Sequence, residues 1–338
     1  MSSIAKPKPT CVECGAVVSK AAKRCQKCWD GRRGVPLRRA KALALESLHE
    51  PLQSFEAAYK RWDKAIGKMR DRYKGPPKKP KGRERFVVVP DIHAPFHREE
   101  QLAHICAVEG PKATKAILLG DISDAYSFST FTKYERVPFA DEWAAVELVL
   151  QSVSEAFHEV EIIVGNHDER LEKRVRERLT EDMVDAVRYL TGGTLNPLVA
   201  LAKRYPNVSI ANHETQDGGT VDWFTTQGDC WLGHPQVFSR VPSAGLRRTD
   251  EWLLDNEIAL NLQRYRLIII GHTHQLSAIP YRSGQLLVEA GSLCKTAGYQ
   301  ISPRSVGRGR PQKNAYVWFE QDAGKTDLNS FGWHWFNV

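Results

Sequence analysis

The stretch Leu267-Ile268-Ile269-Ile270-Gly271-His272-Thr273-His274 constrains this chain more than any other. Four apolar residues, three of them β-branched, run into a glycine and then two histidines one residue apart. The apolar part reads as a buried strand. If the chain stays extended, side chains alternate with period two, so His272 and His274 point to the same side. Two imidazoles at the end of a buried strand serve a core poorly and hold a metal ion well.

The same design recurs upstream. Phe86–Pro90 runs into Asp91-Ile92-His93. Ala116–Leu119 runs into Gly120-Asp121-Ile122-Ser123-Asp124. Val160–Val164 runs into Gly165-Asn166-His167-Asp168, and Cys230–Leu232 into Gly233-His234. Each short apolar run ends in Gly or Pro and in Asp, Asn or His. Polar residues collected at the carboxyl ends of strands are the arrangement expected of an α/β site.

The chain has 338 residues, enough for a large core and an appended module. It holds no apolar run long enough for a membrane span, and no membrane partner is expected. Its N-terminus lacks the apolar segment of a secretory signal. Of its seven cysteines, four sit in two CxxC pairs and three (Cys106, Cys230, Cys294) lie in apolar settings. That usage suits a reducing cytoplasm better than a disulfide framework.

The net charge of +8 is unevenly spread. Residues 1–85 hold 23 Lys and Arg against 8 Asp and Glu, a balance of +15; residues 86–338 hold 25 against 32, a balance of −7. A basic arm on an acidic body points to an anionic partner, DNA or RNA first.

Within residues 1–36, Cys11 and Cys14 and then Cys25 and Cys28 form two knuckles that can close a tetrahedron around one structural zinc. The module resembles a zinc ribbon. Lys23, Arg24 and Lys27 on its loop, with Arg32 and Arg33 beyond it, are candidate nucleic-acid contacts, as are Arg308 and Arg310 in a basic loop spanning 300–313. Residues 37–74 carry a stripe of Leu45, Leu48, Leu52, Phe55, Tyr59, Trp62, Ile66, Met69 and Tyr73, spaced alternately three and four apart. This is a helical seam, with Pro51 interrupting it, and its far face is basic. It can pack on the rest of the chain or form a dimer contact across 45–73. Residues 75–85, rich in Pro and Lys, read as a linker.

From Phe86 strands and helices alternate to residue 338. Helices are expected over Glu99–Glu109, Asp141–Phe157, Asp168–Leu190 and Thr249–Tyr265. Hairpins are expected around Gln227-Gly228 and Ser283-Gly284. Asn207–Ile210, Ala315–Glu320 and Gly332–Phe336 read as further strands.

Taken together, Asp91-x-His93, Gly120-Asp121-x-x-Asp124, Gly165-Asn166-His167-Asp168, Gly233-His234 and Gly271-His272-x-His274 resemble, in order and spacing, the calcineurin-like metallophosphoesterases. Ala290-Gly291-Ser292-Leu293 is similar to the glycine-serine strand end that follows in that family. The resemblance covers residues 86–338. It implies an α/β fold built as a two-sheet β-sandwich flanked by helices, preceded here by the small zinc ribbon and the helical segment. It implies two divalent metal ions, manganese first, with iron or zinc as alternatives. Asp91, His93 and His274 would hold one; Asn166, His234 and His272 the other; Asp121 would bridge them. His167 would be the catalytic acid, with Asp124 orienting it and Asp168 as an alternative for that role. The implied chemistry is phosphoester hydrolysis by a metal-bridging hydroxide.

The family does not fix the substrate. Its protein Ser/Thr phosphatases carry an arginine just after the second Asp of the second motif; here that position is Ala125. With the basic arm, this favours a phosphodiesterase or nuclease acting on DNA or RNA over a phosphomonoesterase acting on a phosphoprotein or nucleotide. A nucleic-acid-binding protein with a residual site is a third reading, opposed by the complete ligand set. His97, His104, His158, His213 and His334 lie outside the motifs and read as core or surface residues.

Overall fold

The computed structural model describes residues 83–130, 137–239, 241, 243–295 and 312–337. The zinc knuckles, the helical stripe, nearly all of the linker and the basic contacts Lys23, Arg24, Lys27, Arg32, Arg33, Arg308 and Arg310 lie outside the described residues.

Three sheets are present among the described residues. The largest orders its strands as β13 (Lys325–Trp335), β12 (Ala315–Asp322), β1 (Glu84–Pro90), β2 (Lys115–Leu119), β3 (Glu159–Ile163) and β4 (Val208–Ile210). The second orders β10 (Leu276–Tyr281), β11 (Gln285–Ala290), β9 (Leu267–Ile270), β8 (Cys230–Gly233) and β7 (Phe224–Gln227). A two-stranded ribbon pairs β5 (His213–Glu214) with β6 (Thr220–Val221). Strands β1 to β4 run parallel, as do β8, β9 and β11. Parallel strands need crossovers, and helices supply most of them: α1 (Glu99–Glu109) between β1 and β2, α2 (Phe139–Ala156) between β2 and β3, and α6 (Ala244–Asp255) between β8 and β9.

The apolar runs are continuous rather than alternating because the central strands of both large sheets are buried on both faces. Phe86, Val88, Ile117 and Leu119 of the first sheet share one core with Cys230, Leu232, Leu267, Ile269, Val288 and Ala290 of the second. The intervening residues Trp231, Ile268, Ile270 and Leu287 face the other way and pack with Leu246, Leu253 and Tyr265. The central strand β9 is thus enclosed from both sides.

Helix α1 spans the residues expected of it. The expected helix over Asp168–Leu190 is instead two, α3 (Arg170–Arg178) and α4 (Glu181–Leu190), broken where Leu179 and Thr180 are extended. Thr180 followed by Glu181 and Asp182 is a helix-start pattern, and it overrides the charge periodicity that runs through it. A short α5 (Pro197–Ala202) follows, with Asn196 accepting a hydrogen bond from the Leu198 amide and proline at its first position. Helix α6 begins five residues before the expected Thr249 and stops at Asp255, ten residues short of Tyr265. Asn256 ends it: its backbone and side-chain amides both donate to the Trp252 carbonyl. Strands β12 and β13 form one long hairpin around Ala323 and Gly324, both left-handed, where two shorter strands were expected. Among the described residues no helix is long and apolar enough to cross a membrane.

Candidate metal centre

Five strand ends meet at one edge. Asp91 and His93 follow β1, Asp121 follows β2, Asn166 and His167 follow β3, His234 follows β8, and His272 and His274 follow β9. The approach is close enough to require glycine. A Cβ on Gly120 would stand 2.2 Å from His234 Nδ1, and one on Gly165 would stand 2.2 Å from Asp121 Oδ1. Any side chain at either position would push the loops apart.

The backbone there is unusual. Asp91 (φ 44), His93 (φ 52), Asp121 (φ 50), Ala125 (φ 46), His272 (φ 72) and His274 (φ 54) are all left-handed. Each such residue costs about 1–2 kcal/mol, and such costs gather at functional sites. This geometry overturns the expectation that His272 and His274 point the same way along an extended strand. The turn sends them apart: His274 Nε2 lies 3.3 Å from Asp91 and 3.1 Å from His93 Nε2, whereas His272 groups with Asp121 and His234.

The proton positions follow from the acceptors. Asp124 Oδ1 accepts from His93 Nδ1 at 3.0 Å, and the Leu119 carbonyl accepts from His234 Nδ1 at 2.7 Å. A carboxylate and a carbonyl can only accept, so in both rings Nδ1 carries a proton and Nε2 is the nitrogen left to face the cluster. Those Nε2 atoms turn toward Asp121, at 3.6 Å from His93 and 3.2 Å from His234. Asp121 therefore belongs to two clusters, one with Asp91 and His93 and one with His234 and His272.

Two buried atoms of this cluster lack hydrogen-bond partners: Asn166 Oδ1 and His234 Nε2. His234 Nε2 is near Asp121 but not in line for a hydrogen bond. Buried polar atoms are nearly always paired. Orphaned oxygen and nitrogen donors beside converging carboxylates and imidazoles fit divalent cations of the manganese, iron and zinc kind.

Electrostatics agree with the geometry. Burial pushes the Asp121 carboxyl up, but the charges of His167, His234 and His93 outweigh it and hold it well below the usual range. Asp91 is lowered in the same way, burial being overcome chiefly by His274. Burial works against a charged His234, yet Asp121 and Asp91 push it up to about 9. His272, dominated by burial and by the neighbouring His234, falls to about 4.

His167 and Asp168 sit differently. The His167 amide donates to Asp121 Oδ1 at 2.8 Å, its Nδ1 donates to the Asp124 carbonyl at 3.0 Å, and its Nε2 accepts from Arg170 Nη2 at 2.8 Å. Asp168 is buried and faces loop amides rather than the cluster: its oxygens accept from the amides of Ser123, Ile122 and Gly165 and from the Ser123 hydroxyl. Burial and the Asp121 charge push Asp168 up to about 6, against those hydrogen bonds.

Sequence reasoning missed two neighbours. Arg170, in the first turn of α3, bonds to His167 and, at 2.7 Å, to the Asp124 carbonyl. Its only signal was a position three residues after His167. Cys294, read as an apolar-setting cysteine, has its sulfur 3.6 Å from His274 Nδ1. It follows directly on the Gly291-Ser292-Leu293 turn, which was the signal available.

The family model described as calcineurin-like phosphoesterase matches residues 84–276. No curated protein matches the chain. Among solved structures it is similar to Vps29 of Chaetomium thermophilum (10% identity, covering 75% of this chain and 93% of that one, TM-score 0.33). It is also similar to a hypothetical protein of Thermus thermophilus (13%, 75% and 98%, TM-score 0.38) and to a dimetal phosphatase of Danio rerio (11%, 71% and 93%, TM-score 0.36). Likeness at this level says nothing about substrate.

Proposed function

The chain belongs to the calcineurin-like phosphoesterase family, whose model spans more than half of it, and from that premise we propose that it is a two-metal phosphodiesterase acting on DNA or RNA. The observation that carries the reaction class is Asp121, one carboxylate shared by two converging ligand clusters. The substrate class rests on the +15 balance of residues 1–85, because lysine and arginine contacts to phosphate supply most non-specific nucleic-acid affinity.

In this reading Asp91, His93 and His274 hold one ion, Asn166, His234 and His272 the other, and Asp121 both; manganese suits the mixed oxygen and nitrogen set. Such a pair of ions supplies Lewis acidity toward phosphoryl oxygens and a nucleophile at neutral pH. The chain's own residues do the rest. Asp124 fixes the tautomer of His93 and orients His167 through two different oxygens. His167 stands at the cluster edge; once Arg170 withdraws, its Nε2 takes a proton from water and delivers it to the departing oxygen. Arg170, whose guanidinium already meets that nitrogen, releases it to grip a phosphoryl oxygen, the task that an arginine at the Ala125 position has in the protein phosphatases. The core that the two sheets share supports the sandwich of this reading, in which Cys11, Cys14, Cys25 and Cys28 would hold one structural zinc.

The test is hydrolysis, with Mn²⁺ added, of labelled single- and double-stranded DNA and RNA beside a simple monoester and a simple diester. Polynucleotide is expected to be cut, chelator to abolish cutting, and His167→Ala to lower kcat by about 10²- to 10⁴-fold. Turnover of the monoester with polynucleotide left intact would move the substrate to a phosphoprotein or nucleotide.

A further inference from the structure

A cavity of about 460 Å³ opens beside the ends of β3 and β8. That volume is in the range of small-molecule sites, about 300–1,000 Å³. Asn166 and His234 stand among its lining residues, so the cavity is continuous with the candidate metal centre. Two indoles, Trp223 and Trp252, also line it, and Arg248, Thr249, Glu169 and Gln236 add polar groups.

The indoles are packed against one another, and one of them against the core. Trp223 packs edge-on to Phe224 and Trp231, with ring centroids 4.8 and 5.8 Å away, and Trp231 is fully buried. Trp252 lies 5.7 Å from Trp223 with the rings tilted by 59°. It is carried by α6, which is fastened to the core through Leu246 and Leu253, yet Trp252 itself is 44% exposed. A large apolar side chain left open on a firmly packed helix, at the mouth of a cavity that reaches a phosphoester centre, is suited to meet a planar group. Arg248 is four residues earlier on α6 and therefore on the same helix face. Indole and guanidinium side by side are the pair that single-stranded nucleic acids use: a π-face for the base and a cation for the phosphate. An aliphatic ligand would call for neither.

We propose that this cavity is the subsite for the nucleobase next to the scissile phosphate, with the base stacked on the open face of Trp252, Trp223 backing that indole, and Arg248 on the adjoining phosphate. The assignment rests on the phosphodiesterase reading above, but base binding can be measured without turnover. Glu169 and Gln236 stand on the same walls and can meet the heteroatoms of the base edge.

The experiment uses the full chain with Mn²⁺ and compares calorimetric binding of adenosine monophosphate with that of ribose phosphate. Adenosine monophosphate is expected to bind about 5- to 100-fold more tightly, the range that stacking of one base gives. Trp252→Ala should remove most of that preference and Trp252→Phe should keep most of it. A second arm takes the ratio of kcat/KM for the p-nitrophenyl ester of thymidine monophosphate to that for methyl p-nitrophenyl phosphate, and Trp252→Ala should lower this ratio about tenfold. Equal binding of the two phosphates by the unaltered protein would overturn the subsite, as would a preference untouched by Trp252→Ala. Phosphotyrosine binding as tightly as adenosine monophosphate would also overturn it, since the cavity would then accept any aromatic phosphate. A base preference that vanishes in Trp252→Ala while neither ester is hydrolysed would uphold the subsite and remove the hydrolase reading instead.

Discussion

At the scale of single residues, His97 shows what burial does to an imidazole outside the ligand clusters. It is 4% exposed, and burial first, with the Lys295 ammonium second, lowers it to about 3. An unfolded histidine titrates near 6.5. Between pH 3 and 6.5 the unfolded chain therefore binds a proton at this position that the folded chain refuses. The stability that neutral His97 contributes is complete above pH 6.5 and is lost as pH falls, with a slope approaching about 1.4 kcal/mol per pH unit inside the window. Urea unfolding of the native chain and of His97→Gln at pH 7, 6, 5 and 4 checks this. The difference between the two should narrow or change sign in favour of the variant on acidification; parallel curves would mean that His97 takes its proton in the fold. The contrast with His234 is instructive. It is equally buried, but Asp121 and Asp91 lie beside it and push it up to about 9. Burial beside an ammonium and burial beside carboxylates drive one residue type in opposite directions.

At the scale of elements, the loops after β2 and β3 are tied together by one carboxylate. Asp168 accepts from three loop amides and a hydroxyl, and Glu142 on α2 does similar work by accepting from the amides of Tyr126 and Ser127 in the short turn after Asp124. Removing the Asp168 acceptors leaves buried amides unpaired, each at about 1–3 kcal/mol. Asp168→Ala should therefore lower unfolding free energy by on the order of 3 kcal/mol or more and weaken Mn²⁺ binding, because Asp121 and Asn166 sit on the two loops it joins. Denaturant unfolding and metal titration measure both. A full loss of kcat with stability and metal affinity intact would return Asp168 to the role of orienting His167, for which its sequence position made it the alternative to Asp124. This element shows where the sequence was legible. The strand ends were readable because apolar runs buried on both faces stop abruptly at Asp, Asn or His; the register of β9 with β8 and β11 was not, because a run that is apolar on both faces slips by one residue without exposing anything. The turn geometry was not readable. Left-handed His272 and His274 reverse the side-chain direction that an extended strand predicts, and periodicity carries no information about φ. Nor did it reveal the break at Leu179 and Thr180, where a local start signal competes with a pattern that continues through it. Arg170 and Cys294 were missed for a different reason: beyond their nearness in sequence to a motif, their roles are contacts across the fold, not spacings along the chain.

At the scale of the whole molecule, charge is divided against the expected substrate. Residues 86–338 carry a balance of −7 and hold the candidate site, whereas a polyanion must be brought to it. Long-range repulsion by the body opposes that approach, and the +15 segment is the counterweight in the same chain. If it serves that end, its contribution must depend on salt, because neutralising a phosphate releases condensed counterions. Each contact adds about 0.9 to the slope of log affinity against log salt on duplex DNA and about 0.7 on single strands. The combined variant Lys23→Glu, Arg24→Glu, Arg32→Glu and Arg33→Glu removes four candidate contacts while sparing the four cysteines. Anisotropy of a labelled oligonucleotide across a salt series should show weaker binding at low salt and a slope shallower by about 3 to 4 units on duplex if all four touch phosphate. The ratio of kcat/KM for polynucleotide to that for a small diester should fall with it. An unchanged slope would detach the basic segment from nucleic acid and make it a docking module for some other partner, and the substrate of the metal centre would then have to be argued from the cavity beside Trp252 alone.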